Sequence, residues 1–288
     1  MMRFRVWPLF LLAPTSVACA GTVSPSDSVG DAEPTITSAI VVVERTSDPD
    51  AAPRSQASAR FIRVASSSTT EEALRAIGAA VELPTGNTCA PVASLASGVG
   101  LEQPAPVIEL LDVGSVSLET SAGAEARLAP RQLPDVTDVV SGVVYARAAD
   151  SATLPADARY VLHVGGRPDL AGFDLTTVAP DDPADVRLVG EEPSGTLVLA
   201  SPSVEVTWRP DGTTDLIYVD LQPSGVRCVL GNGTAEAPIA HGAFPASLLS
   251  GSGSILVHRL HREPLHALGL DSGEIRFDFA RSVAYVRL

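Results

Sequence analysis

The sequence predicts a mainly β protein built from one or more antiparallel β-sandwiches, with one short N-terminal helix. Short runs of β-branched and apolar residues recur along the chain, and Gly, Pro and Asp separate them at regular intervals. In the C-terminal part apolar and polar residues alternate, which is typical of antiparallel strands with one buried face. Short strands with regular turns indicate an immunoglobulin-like sandwich in that part.

The first predicted elements are two strands. Residues 39–43 and 60–64 are rich in β-branched and aromatic residues, which favour strands. The polar residues 46–57 contain two prolines and predict a loop between these strands.

A helix is expected next, over residues 69–82. Thr69 and Glu72 have the spacing of a capping box, in which the hydroxyl and the carboxylate each bond a backbone N–H at the start of a helix. Leu74, Ile77 and Val81 follow at helical spacing and form one apolar stripe. Pro84 and Gly86 lie just beyond the expected end.

The remaining predicted elements are strands. Val226, Cys228 and Leu230 alternate along one of them, so we expect Cys228 to point inward. Trp208 lies on an apolar strand face and is expected in the core. The predicted strands cover residues 107–111, 116–118, 139–146, 160–164, 204–209, 217–221, 226–230, 255–260, 275–279 and 283–288.

Composition excludes several functions. The net charge of −14 and the pI near 4.7 oppose binding to nucleic-acid phosphates, and no basic patch is present to hold an anionic membrane surface. All basic residues are arginine, because the chain contains no lysine. This absence excludes a P-loop lysine, a pyridoxal Schiff base and Ser-Lys hydrolysis.

The histidine and aspartate clusters are weak metal candidates. His258 and His261 are three residues apart on a predicted strand, so they should project to opposite faces and we expect them to be solvated. Asp181, Asp182 and Asp185 could offer oxygens to calcium, but turns are the more common use of Pro/Asp clusters. We therefore expect no cofactor, with calcium as the less favoured alternative.

Residues 1–20 have the organisation of a secretory signal peptide. Arg3 and Arg5 precede a short apolar block, and small residues end it. Val17-Ala18-Cys19 resembles the lipobox of bacterial lipoproteins, which implies acylation of Cys19, although Ser16 departs from the usual apolar residue. Ala18-Cys19-Ala20 also fits ordinary secretion with cleavage after Ala20.

The sequence predicts four segments along the chain. A signal peptide over 1–20 and a flexible linker over 21–37 precede a β-rich domain over 38–180, which contains the helix, and a β-sandwich domain over 181–288. Whether the body is one β domain or two stays open. In an oxidising compartment Cys89 and Cys228 would pair and join the two domains, with two buried free thiols as the alternative.

No common catalytic motif is present in the sequence. The helix followed by Leu-Pro-x-Gly-x-x-Cys (residues 83–89) and the later Val-x-Cys strand (residues 226–228) resemble uncharacterised bacterial envelope lipoproteins. This resemblance implies no catalytic residues. We expect a non-enzymatic binding or structural protein, anchored by lipid to the outer membrane or cell surface and otherwise periplasmic or secreted. Its partner would be an unknown protein or glycan. A carboxylate-based glycosidase or similar hydrolase is the alternative, and a carbohydrate-binding module the second alternative.

Overall fold

A computed structural model describes most of the chain after residue 33. The described residues are 34–48, 51–96, 107–136, 140–150, 154–183, 185–191, 195–210, 215–232 and 239–288. The predicted signal peptide, Cys19 and residues 21–33 of the predicted linker lie outside them. The first strand begins at Thr35, so the last residues of the predicted linker belong to a strand. Residues 34–288 form one compact unit.

The N-terminal half contains nine strands and two helices among the described residues. Strand β1 (Thr35–Asp48) and β2 (Ala51–Ala65) form a long antiparallel hairpin, so the expected loop over 46–57 is wrong. The other elements are α1 (Thr70–Ala76), β3 (Cys89–Pro91), α2 (Val92–Ala96), β4 (Ile108–Leu110), β5 (Val116–Thr120), β6 (Glu125–Val136), β7 (Val140–Asp150), β8 (Arg159–Val164) and β9 (Phe173–Val178).

The C-terminal half is almost entirely β. Its elements are β10 (Arg187–Leu188), β11 (Leu197–Leu199), β12 (Ser203–Trp208), β13 (Leu216–Gln222), β14 (Val226–Asn232), β15 (Ala240–Pro245), a 3₁₀ turn (Ala246–Leu248), β16 (Ser252–Pro264) and β17 (Ser272–Arg287). The structure confirms the mainly β class. Among the described residues, α1 is the one helix longer than five residues, and it lies in the N-terminal part as predicted.

One large sheet contains most of the described strands. Its order is β3-β14-β13-β16-β17-β1-β2-β4-β7-β6-β5-β8-β9, and β11 extends the edge of β17. Most neighbours are antiparallel, but β1 and β11 run parallel to β17, and β4 runs parallel to β7. A separate sheet, β10-β12-β15, packs over the end that contains β13 and β14.

The two largest of the four hydrophobic clusters among the described residues, here called the first and second cores, lie along this sheet. The first core packs β1, β2 and β17 against β5 and β8, with Phe277 and Tyr160 rings 5.6 Å apart. The second core packs the three-stranded sheet over β13, β14, β16 and β17, and Trp208 lies within it, 2% exposed. This second core is the interior of a β-sandwich. Strand β17 supplies Phe277 to the first core and Tyr285 to the second, so this strand packs in both cores.

The opposite face of the central strands is covered by α1 and by the segment after it. Helix α1 begins at the predicted capping box, in which Thr69 Oγ1 accepts from Glu72 N at 3.2 Å and Thr69 N donates to the Glu72 carboxylate at 2.9 Å. It ends much earlier than residue 82. Gly78 has φ +64°, and Ala79 N donates to Leu74 O, which is the geometry of a Schellman C-cap. Residues 78–91, here called the strap, then pass over the sheet and end in β3.

Candidate functional site

A charged crevice lies between the two cores. It has a volume of about 350 Å³ and brings together the three aspartates that the sequence singles out. Its described lining consists of Ala156, Asp181, Asp182, Asp185, Arg209, Pro210 and Arg259. Crevices between packing units are common ligand sites, so this is the candidate functional site of the chain.

Asp182 is held by an arginine from the first strand. Arg45 lies on β1 and is 9% exposed, and its Nε lies 2.9 and 3.1 Å from the two carboxylate oxygens of Asp182. Nη1 of the same guanidinium donates to Leu154 O at 3.4 Å. The pair therefore fixes the 181–182 loop on the rim of the first core.

Arg259 ties the same loop to the second core. It lies on β16 and is 4% exposed, and its Nη1 and Nη2 donate to the backbone oxygens of Asp181 and Arg209 at 3.1 and 2.9 Å. Its Nε lies 3.6 Å from Asp215 Oδ2, while Asp215 Oδ1 lies 2.7 Å from His261 Nδ1. His261, expected to be solvated, is instead half-buried beside a carboxylate.

Asp185 completes the wall with an exposed ion pair to Arg209, at 3.4 Å. Asp182 and Asp185 thus each face a guanidinium. No group of three or more His, Cys, Asp and Glu side chains within the described ranges has an arrangement that could hold a metal ion. The calcium alternative stays an untested prediction.

His258 points to the other face of the sheet, as its three-residue spacing from His261 predicts. It stacks on Tyr218 of the neighbouring strand with ring centroids 4.3 Å apart, and its Nδ1 lies 2.8 Å from Asp278 Oδ1. Its Nε2 is buried, 3.7 Å from Asp220 Oδ2. His258 is therefore enclosed between two carboxylates and is not solvated.

A buried polar network surrounds this histidine. Tyr218 Oη donates to Asp278 Oδ2 at 2.5 Å, so Asp278 accepts from both the tyrosine and the histidine. Arg227 donates to both oxygens of Asp220 at 2.7 Å and lies over the Tyr218 ring at 4.7 Å. The five side chains come from four adjacent strands, and His258 Nε2 is the one nitrogen or oxygen of this set that is buried without a hydrogen bond.

Burial and hydrogen bonding oppose each other at Asp278. Burial alone would raise the pKa of this carboxyl, but the hydrogen bonds from His258 and Tyr218 and the nearby positive charges outweigh burial and lower the pKa below its ordinary value. Burial, followed by the negative charge of Asp278, raises the pKa of Tyr218 well above its ordinary value. Asp278 is therefore ionised and Tyr218 is neutral at neutral pH.

Cys89 and Cys228 form a disulfide, as the sequence predicts, and close a separation of 139 residues. Cys228 is 1% exposed and points inward from β14, while Cys89 is half-buried on the edge strand β3. The bond fixes the end of the strap to the sheet.

An apolar groove of about 740 Å³ lies between the strap and the three-stranded sheet. Its lining includes Leu83 and Asn87 of the strap, Leu216 and Val229 of the neighbouring strands, and Ile239. Trp208 and Leu230 contribute buried side chains to its wall. Sequence patterns do not predict this groove, because its lining residues lie far apart in the chain.

The comparisons with known proteins leave the family open. No protein-family model matches the chain, and no curated protein does. Among solved structures, the chain is similar to the Fcho1 Mu homology domain of Danio rerio with bound Eps15 peptide, at 10% identity and a TM-score of 0.28. That likeness covers 88% of this chain and 97% of the other, and at this TM-score it supports no inference. No helix within the described residues is long and apolar enough to cross a membrane.

Proposed function

We propose that the chain is an exported envelope protein, anchored by lipid at Cys19, with a binding or structural role. The Cys89–Cys228 disulfide is the observation that carries this proposal. Disulfides form and persist in oxidising compartments and are rare in the cytosol of most organisms. The signal-like leader over residues 1–20 predicts the same compartment from independent residues.

The arrangement of titratable groups favours binding over catalysis. Asp182 and Asp185 are each paired with an arginine, and His258 and His261 each bond a carboxylate within the fold. A general acid must hold a proton near the substrate, and a carboxylate held by a guanidinium is poorly suited to that role. These groups fix loops to the sheet, which is a structural use.

A hydrolase is the second candidate, because the crevice between the cores does contain several carboxylates. A carboxylate-based glycosidase would need two of them on either side of a bound sugar. Incubation of the protein with a panel of glycosides tests this candidate. We expect no turnover. Turnover that Asp182→Asn and Asp185→Asn both abolish would establish the hydrolase instead.

Sugar binding on aromatic platforms has less support. All four tyrosines are buried, and Trp208 is 2% exposed within the second core. Exposed aromatic rings are the usual platform for sugar rings, and none of these side chains provides one.

Fractionation of the native host tests the proposed anchor. The wild-type chain should sediment with the membranes, whereas Cys19→Ser should leave the membrane fraction or accumulate with its leader uncut. Thr15→Ser is the matched control, since it changes the leader but leaves the lipobox-like residues intact, and it should behave as wild type. Membrane association of Cys19→Ser equal to that of wild type, in a chain whose leader has been removed, would refute lipid anchoring.

A further inference from the structure

Strand β9 is the last strand at one end of the large sheet. It pairs with β8 on one side, and no other strand of the described residues pairs with it. Just beyond the end of this pairing, Ala179 N donates to Ala158 O at 2.9 Å, so the odd-numbered residues of β9 bond β8. The N–H and C=O groups of Asp174, Thr176 and Val178 therefore point away from β8.

This edge of β9 is unpaired and its outer face is accessible. The outward N–H and C=O groups have no hydrogen-bond partner in the part of the chain that the structure describes. On the outer face, Val178 is 54% exposed and the Asp174 side chain is 70% exposed. Thr177 on the inner face donates to Glu263 of β16, but this contact does not involve the backbone of the edge. Unpaired edge groups are a template for another strand.

A second copy of this edge matches it in an antiparallel arrangement about a two-fold axis at Thr176. Residue 176 then lies opposite residue 176 of the second copy, and residue 174 lies opposite residue 178. Because all of these residues point their N–H and C=O groups outward, the three pairs exchange about six hydrogen bonds. The threonine at the axis adds a favourable side-chain pair, since two threonines opposite each other on neighbouring strands hydrogen-bond.

The charges beside the edge favour a second copy of this chain as the partner. Arg159 on β8 is exposed and lies opposite Val178, and its guanidinium has no ion pair within the described ranges. In the symmetric pair, Asp174 lies two strands, or about 10 Å, from Arg159 of the second copy, with that copy's Val178 between them. The long arginine side chain reaches over the valine. Asp174 Oδ1 lies 2.7 Å from His163 Nδ1, which leaves Oδ2 for the arginine.

We propose that the chain forms a symmetric dimer through edge-to-edge pairing of β9, which makes the sheets of the two copies continuous. Two ion pairs between Asp174 and Arg159 cross the interface and fix its register. The interface is small, since each copy contributes one six-residue strand, and small interfaces are typical of weak, reversible association. This inference does not depend on acylation of Cys19, and its failure would leave the proposed anchoring intact.

Sedimentation velocity of the full chain, at protein concentrations up to about 1 mM, tests the dimer. Every sample carries Cys19→Ser, so that acyl groups cannot associate the copies. Thr176→Pro removes an outward N–H and leaves the bonds to β8 in place, so it should weaken self-association at least about tenfold. Thr176→Val is the matched control, because it keeps this N–H and should dimerise nearly as well as wild type.

Charge reversal tests the register without a change in the backbone. In Asp174→Arg alone and in Arg159→Asp alone, like charges face each other across the symmetric pair, so each variant should dimerise at least about tenfold more weakly than wild type. A mixture of the two variants should form a heterodimer, because an arginine then faces an aspartate at both positions.

Three results would overturn the proposal. The first is a wild-type chain that stays monomeric up to about 1 mM. The second is a wild-type dimer that Thr176→Pro and both charge reversals leave unchanged, because its interface would then lie elsewhere. The third is a mixture of the two reversed variants that associates no better than either variant alone.

Discussion

Replacement of Asp278 by alanine removes the acceptor at the centre of the buried network. The carboxylate is 9% exposed and accepts hydrogen bonds from Tyr218 at 2.5 Å and from His258 at 2.8 Å. In Asp278→Ala both donors remain buried without their acceptor, beneath the strap.

The expected loss can be worked from these two contacts. A hydrogen bond to a charged group contributes about 1.5–3 kcal/mol, and removal of one partner of a buried ionic pair costs about 3–5 kcal/mol. We therefore expect Asp278→Ala to lower the free energy of unfolding by about 3–5 kcal/mol at pH 7. Tyr218→Phe removes one of the two donors and should cost less, about 1.5–3 kcal/mol.

The pH dependence supplies a second test of the same group. Because the folded-state pKa of Asp278 is lowered, its contribution is present above the ordinary carboxyl pKa of about 3.9 and is lost as pH falls through the folded pKa. The difference between wild type and Asp278→Ala should therefore shrink when the pH is lowered from 7 to below about 4.

Urea denaturation followed by far-UV circular dichroism measures both effects. Asp169→Ala is the matched control, since Asp169 is 56% exposed and lies 3.5 Å from Arg63 in a surface ion pair. It should change stability by less than about 1 kcal/mol. If Asp278→Ala were no more destabilising than this control, the network would not stabilise the fold.

Other predictions follow from backbone space and from a surface histidine. Gly142→Ala should destabilise by at least about 3 kcal/mol in urea, because φ is +116° and the new Cβ would lie 1.9 Å from Leu110 O. Gly123→Ala, at φ +79° with open space around it, should cost only about 1 kcal/mol. The hydrogen bond to Asp174 raises the pKa of His163, so its contribution is full below the ordinary histidine pKa and is lost as pH rises through the folded pKa. The midpoint of thermal unfolding should thus fall less between pH 5.5 and 8 in His163→Gln than in wild type, and equal slopes would count against this role.

The sequence predicts the buried face of most strands, but not what covers the other face. Strands β12 and β17 show the same alternation of apolar and polar residues. On β12 the intervening Glu205 is exposed, as expected. On β17 Arg276 and Asp278 are buried, because Arg276 lies against the strap from a distant part of the chain and Asp278 lies against Tyr218 and His258 of neighbouring strands. Alternation reports the period of a strand and carries no information about a covering segment.

The full length of the first hairpin could not be predicted from the sequence, because many of its residues are small. Ala57 and Ala59 are buried in the first core, yet alanine and serine give a weak strand pattern. The helix end, by contrast, had a signal in the sequence, because Gly78 is the residue type that favours a left-handed C-cap. The apolar residues at helical spacing continue to Val81, so the sequence pattern predicted a helix that runs past Gly78.

The candidate site is predictable only in its parts. The sequence identifies the three aspartates of the crevice, and spacing places His258 and His261 on opposite faces. Their partners could not be predicted, since Asp215 and Asp278 reach them through strand pairing between distant segments. The disulfide was predictable from cysteine number, because only two cysteines follow the leader.

The intact mass of the mature protein, isolated from membranes of its native host, tests the proposed function most directly. We predict a chain that begins at Cys19, carries the added mass of its acyl groups, and takes up alkylating reagent at Cys89 and Cys228 only after reduction. A chain that begins at Gly21 without acyl mass would contradict lipid anchoring. Alkylation of Cys89 and Cys228 without prior reduction would contradict an oxidising compartment and the disulfide on which the proposal depends.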